Sequence, residues 1–172
     1  MIKWHGSSLG FPNARALKIY VYSHCTRRKG ETIFNRILLA IDNSETALYA
    51  AKVAGDLVRA VNPRELHIVI AHETVPNYSG ESNLYGASIN PQDSSRDILQ
   101  EAENAIGSVT ADIRSELIEG QITDTVINVA KTRHSDLIIM GSEGMGRLTG
   151  ALVGINGQKV VSEAPCPVLI VR

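Results

Sequence analysis

Apolar residues along this chain fall into short continuous runs separated by longer amphipathic stretches. RILLAI (36–41), ELHIVIAHE (65–73), SDLIIMG (135–141) and PVLIVR (167–172) are such runs, and RSELIEG (114–120) is a weaker one. Their length and lack of strict alternation predict strands covered on both faces. Between the first two runs, Ala47, Ala50, Ala51, Ala54, Leu57 and Val58 recur at helical spacing. Asn43 and Ser44 are candidate caps for that helix, Glu45 adds an acid to its first turn, and Asn62-Pro63 stops it. SSRDILQEAENAIGSVTADI (94–113) predicts a second helix, capped by Ser94 or Ser95, with Gly107 weakening its later turns. TDTVINVAKTRH (123–134) predicts a third, and a short fourth is expected near Gly157 to Ala164. The stretch from Thr74 to about Ser94, rich in Pro, Asn, Ser and Gly, reads as a long loop. The order β-α-β-α-β-α-β-loop-α-β predicts an α/β fold, a mostly parallel sheet with helices on both faces.

The first 34 residues break this pattern. LKIYVY (17–22) is either a short strand or an incidental apolar patch. The segment carries Lys3, Arg15, Lys18, Arg27, Arg28 and Lys29 against Glu31 alone, roughly +5 in a chain whose net charge is -1. It is expected to be a solvated, partly disordered basic extension, followed by one folded domain over 35–172. That domain is mildly acidic, which argues against a nucleic-acid partner. No apolar run approaches the length of a membrane span, and no sustained apolar segment follows the basic residues as in a signal peptide. The two cysteines, Cys25 and Cys166, are far apart and form no CxxC pattern. They point neither to a disulfide framework nor to a zinc site, and a cytoplasmic location is expected.

In parallel α/β sheets ligands bind at the carboxyl ends of strands where the winding reverses. Two turns qualify: the one after RILLAI, at Asp42, and the one after SDLIIM, at Gly141. The second opens a segment unusually rich in glycine, with Gly141, Gly144, Gly146, Gly150, Gly154 and Gly157. Such a loop can present consecutive N–H groups to an anion at a helix start. The spacing is neither GxGxxG nor the GxxxxGK[ST] phosphate loop. On glycine count alone, a phosphate nest and a plain surface loop both remain open. Arg147 and Lys159 are available cations, but nothing in the spacing aims them inward. Asp42 could accept hydrogen bonds from ribose hydroxyls, or could be a turn or cap residue.

RILLAIDNSETALYAAKVA, LHIVIAHETVP, DLIIMGSEGMGRLTGALVG and APCPVLIVR occur in that order, and the combination closely resembles the universal stress protein family. The resemblance covers nearly everything after the basic extension. Gly141, Gly144 and Gly154 match all three glycines of the family's nucleotide-binding motif, G-2x-G-9x-G-[ST]. The resemblance implies a five-stranded parallel sheet sandwiched by helices, related to the adenine nucleotide alpha-hydrolases and Rossmann-like. It also implies an adenine nucleotide, ATP with or without Mg²⁺, as ligand. Ile41, Asp42 and Asn43 would then lie at the ribose, Ile70 and Ala71 would frame the adenine, and Met140 and Gly141 would line the neighbouring strand end. Glu143, Gly144, Gly154, Ile155 and Asn156 would surround the phosphates. The family's last strand pairs two copies, which implies a homodimer through Pro167 to Val171.

Two positions depart from the family pattern. Ile155 stands where the motif has Ser or Thr, and isoleucine cannot donate to a phosphate oxygen. One lost hydrogen bond is worth about 1–3 kcal/mol, or one to two decades of affinity. Asn156 offers an amide one residue later. Glu143, where His is common, would repel a triphosphate unless a cation intervened. A dimeric interaction module of the non-binding branch is therefore one alternative to a nucleotide-binding regulator. A slow ATPase is another, although no catalytic residue can be named. His5, His24, His67, His72 and His134 show no metal-ligand spacing, so no metal site is expected. Cys166, between two prolines, reads as a small packed residue.

Overall fold

The computed structural model describes residues 2–5, 17–21, 34–42, 44–72, 91–142 and 155–172. In chain order they form β1 (Ile2–His5), β2 (Leu17–Val21), β3 (Arg36–Ile41), α1 (Glu45–Val61), β4 (Glu65–His72), α2 (Pro91–Ile106), β5 (Asp112–Glu119), α3 (Ile122–Thr132), β6 (Leu137–Gly141), α4 (Ile155–Glu163) and β7 (Val168–Val171). One sheet holds all seven strands in the order β1-β2-β7-β6-β3-β4-β5. The five strands β7, β6, β3, β4 and β5 are mutually parallel, the sheet expected from the alternation of runs and helices.

Alternate side chains of each central strand feed two separate cores. Ile37, Leu39, Leu66, Ile68, Leu137 and Ile139 point to the α1–α2 side. Leu38, Ala40, Val69, Ile138 and Met140 point to the α3–α4 side, where Cys166, just before β7, also packs. This explains why RILLAI after Arg36, and LIIMG throughout, show no polar positions: each face has its own helical layer, so neither can be wetted. Cys166 is packed as expected.

Ser44 caps α1, its hydroxyl accepting from Ala47 N–H at 3.2 Å. Asn62 ends the helix in the left-handed region, φ 48°. Gly55 is buried in α1 because a Cβ there would run into the backbone of Ile106, the last residue of α2. The glycine lets the two helices touch.

Three boundaries differ from expectation. α2 begins at Pro91, one turn before the expected Ser94 or Ser95, because proline suits the first helical position. It ends at Ile106 rather than running to Ile113, since Gly107 turns left-handed at φ +70°. β5 correspondingly starts at Asp112. Its mixed polarity follows from its place at the sheet edge, where Ile113 and Leu117 are exposed.

The larger difference lies in the first 34 residues. The stretch expected to be partly disordered contains β1 and β2. β2 pairs antiparallel with β7, Leu17 opposite Val171 and Tyr20 opposite Val168. β1 adds outside it, Ile2 opposite Val21. Neither strand shows a helical or alternating pattern strong enough to reveal its neighbour. The edge of β7 expected to face a second copy carries β2 of the same chain.

Candidate functional site

β3 lies at the centre of the parallel set. The chain winds from it toward β4 and β5 on one side, and later returns to β6 and β7 on the other. The crevice outside the carboxyl ends of β3 and β6 is therefore the reversal point. Register brings the two ends together: Ala40 lies opposite Met140, and Ile41 opposite Ile70 on the other side. The two turns singled out in the sequence are neighbours.

From the β3 side, Asp42 follows the strand directly and is half-buried. Its Oδ1 accepts the Ser44 N–H at 3.0 Å, so one oxygen shapes the turn into α1. Oδ2 has no hydrogen-bond partner among the described residues. The structural and ligand-binding readings of Asp42 are thus compatible, one oxygen for each. α1, 17 residues long, begins at this spot and brings the positive end of its dipole.

From the β6 side, Gly141 meets the first turn of α1. A Cβ there would lie 2.7 Å from Thr46 Oγ1, 2.8 Å from the Thr46 carbonyl carbon and 2.9 Å from Ala47 N. Close approach is the reason for glycine here, and what approaches is the helix N-terminus. Ser142 comes next. Its N–H donates to the Val171 carbonyl at 2.8 Å, while its buried hydroxyl has no partner among the described residues. A buried hydroxyl without a partner costs about 1–3 kcal/mol, and a ligand oxygen at this crevice would offset that cost.

Ile41, Ile70 and Met140 are buried at their strand ends, Ala71 is partly exposed, and Gly141 is buried. Ile155 and Asn156 open α4. Asn43, Glu143, Gly144 and Gly154 lie outside the described residues. Lys159 is drawn to Asp124 of α3 at 2.7 Å, an exposed pair between helices. Thr46, which packs on Gly141, and Ser142, which follows it, were not among the candidate residues read from the sequence. Ser142's place directly after a buried strand is the signal that could have found it. Among the described residues no group of three or more His, Cys, Asp or Glu could hold a metal ion.

The sheet's amino-terminal rim is electrostatically distinct. Asp136 accepts N–H groups of Asn35 at 2.7 Å and Arg36 at 3.1 Å, tying the starts of β6 and β3. Burial raises its pKa, and those donors partly offset the rise. On β4, His67 is fully buried and both ring nitrogens lack hydrogen bonds. Glu65 lies 3.8 Å from Nδ1 and Glu116 3.7 Å from Nε2, and Glu116 is ion-paired with Arg133. Burial is the main force lowering the His67 pKa. Arg133 and Arg114 add to the fall and Glu65 opposes it.

The sequence profile of the universal stress protein family matches residues 34–172. A universal stress protein of Thermus aquaticus is 37% identical over 140 residues, covering 81% of this chain and all of its own. One from Methanocaldococcus jannaschii is 26% identical over 159 residues, covering 91% of this chain and 92% of its own. Among solved structures, universal stress protein UspA from Lactobacillus plantarum superposes with a TM-score of 0.66 at 20% identity, over 83% of this chain and 100% of that one. A universal stress protein in complex with cAMP gives 0.62 at 23% identity, over 81% and 98%. At these identities the two structures show a shared fold over about four fifths of the chain.

Proposed function

The chain belongs to the universal stress protein family, and from that premise we propose that it is a cytoplasmic stress-response regulator that binds an adenine nucleotide, ATP with Mg²⁺, and works as a homodimer. The observation that carries the nucleotide reading is the convergence at the β3–β6 crevice. The start of α1, Asp42 and Ser142 all lie at those strand ends, and the second oxygen of Asp42 and the Ser142 hydroxyl have no partner among the described residues. Ribose hydroxyls could donate to Asp42. Ile70 and Ala71 would border the base, and Ser142 and the N–H groups around Gly141, Gly144 and Gly154 would serve phosphate oxygens. The solved relative carrying cAMP supports an adenine nucleotide as the ligand class. Among the described residues no helix is long and apolar enough to cross a membrane. The dimer would pair Pro167 to Val171 of two copies, an edge that β2 covers within one chain.

Ile155 favours a second reading, a dimeric interaction module with an empty nest, because no hydroxyl stands at the start of α4. Calorimetric titration with Mg-ATP, AMP and cAMP decides between the two. Saturable heat together with a thermal upshift is expected for at least one of them. No heat and no shift at millimolar concentrations would leave the interaction module. Phosphate release during prolonged incubation with Mg-ATP would instead favour a slow ATPase.

A further inference from the structure

We propose that the N-terminal β1–β2 hairpin is a built-in competitor for the β7 edge. It occupies, within one chain, the place a second copy's β7 takes in the dimer, and so sets the monomer–dimer balance. This rests on the homodimer part of the proposed function.

β7 is bonded on both sides, parallel to β6 and antiparallel to β2. Antiparallel is the orientation that two-fold symmetry imposes when one strand pairs with its own copy across a shared sheet. β2 therefore presents to β7 the geometry of a symmetric partner. All four β7 residues, VLIV, are buried and apolar. A strand of that kind, left as an open edge, pairs with whatever strand it meets. The hairpin moves the edge out to β1, which is only four residues long and includes Lys3. Short edge strands and lysines are both devices that discourage pairing.

The tether favours the pairing within one chain. Val21 lies at the amino-terminal end of β7, since Tyr20 is opposite Val168. Arg36 starts β3 at the same end of the sheet, three strand positions from β2. That is roughly 14 Å at the usual strand spacing, well within reach of the chain that joins them. A segment tethered this closely acts at an effective concentration on the order of millimolar. A second copy at micromolar concentration competes poorly until the hairpin is weakened. Among the residues whose side chains are described, both cores pack α1 to α4 against the parallel strands, and the double change below touches none of those residues.

The test is sedimentation velocity over about 1–100 μM on the full chain and on the full chain carrying Ile19→Pro and Tyr20→Pro. Neighbouring strand residues aim their N–H groups in opposite directions. The double change therefore removes one ladder donor toward β7 and one toward β1. Far-UV circular dichroism and thermal unfolding confirm that the body is intact. Should the variant unfold, Lys18→Gly with Ile19→Gly weakens the strand more gently. The expected result is a dimer constant at least tenfold tighter in the variant. Equal dimerisation of both proteins would overturn the competitor role and leave the homodimer reading standing. Two monomers at all concentrations would overturn both. A dimer that the proline changes abolish would show that the hairpin builds the interface, which also overturns the proposal.

Discussion

Gly141→Ala tests the site through its steric foundation. The added Cβ would stand 2.7 Å from Thr46 Oγ1, 2.8 Å from the Thr46 carbonyl carbon and 2.9 Å from Ala47 N. The hydroxyl can rotate away, but the other two atoms are backbone. Comfortable carbon contacts begin near 3.5 Å, so the first turn of α1 must retreat by roughly 0.5–1 Å. Ala47, Ala50 and Ala51 are buried against the sheet and resist that shift. Overpacking of this kind costs about 1–3 kcal/mol, which at about 2–4 °C per kcal/mol for a chain of this size lowers Tm by roughly 2–12 °C. The same retreat carries the Asp42–Ser44 turn with it and loosens the crevice. Mg-ATP affinity should fall by about one decade or more, the equivalent of one lost hydrogen bond. Gly55→Ala supplies the control. Its Cβ would collide with the Ile106 backbone, so it should destabilise at least as much. It lies ten residues into α1, about 15 Å from the helix start, and should leave affinity unchanged at temperatures where the protein is folded. A Gly141→Ala protein with wild-type Tm would refute the packing account. Equal affinity loss in both variants would refute the assignment of the site to the β3–β6 crevice.

Ser142→Ala removes a buried hydroxyl without a partner among the described residues. It should leave the nucleotide-free Tm unchanged or slightly higher while weakening Mg-ATP by about one decade; unchanged calorimetric affinity would remove Ser142 from the site. Ile155→Ser restores a hydroxyl at the start of α4 and should tighten nucleotide binding by about one to two decades, and a titration matching wild type would refute the role given to that position. The folded-state pKa of His67 is lowered, so its contribution to stability is full above the unfolded value, about 6.5, and is lost as pH falls from there through the folded value. Urea melts should show this acid-side loss, and His67→Met should flatten it; an unchanged pH profile would show that His67 does not titrate as its burial requires.

What the sequence revealed and what it hid divide along one line. A residue's own face is written locally. The runs RILLAI and LIIMG announce burial on both sides, Ser44 announces a helix start, and Asn62-Pro63 announces its end. A strand's neighbour is not written locally, because any extended segment offers the same N–H and C=O groups to whichever edge it meets. LKIYVY could therefore be seen as a candidate strand without its partner β7, some 150 residues away, being visible. The same limit applied to the site. Gly141 looked like a phosphate glycine because the loop after it is rich in glycines. Among the described residues it faces the first turn of α1, a contact made only once β3 and β6 lie side by side. The two explanations lead to one place. A helix N-terminus can point at the crevice only if the strand end beside it has no Cβ to push it away. The glycine that packs is thus a condition for the proposed anion site.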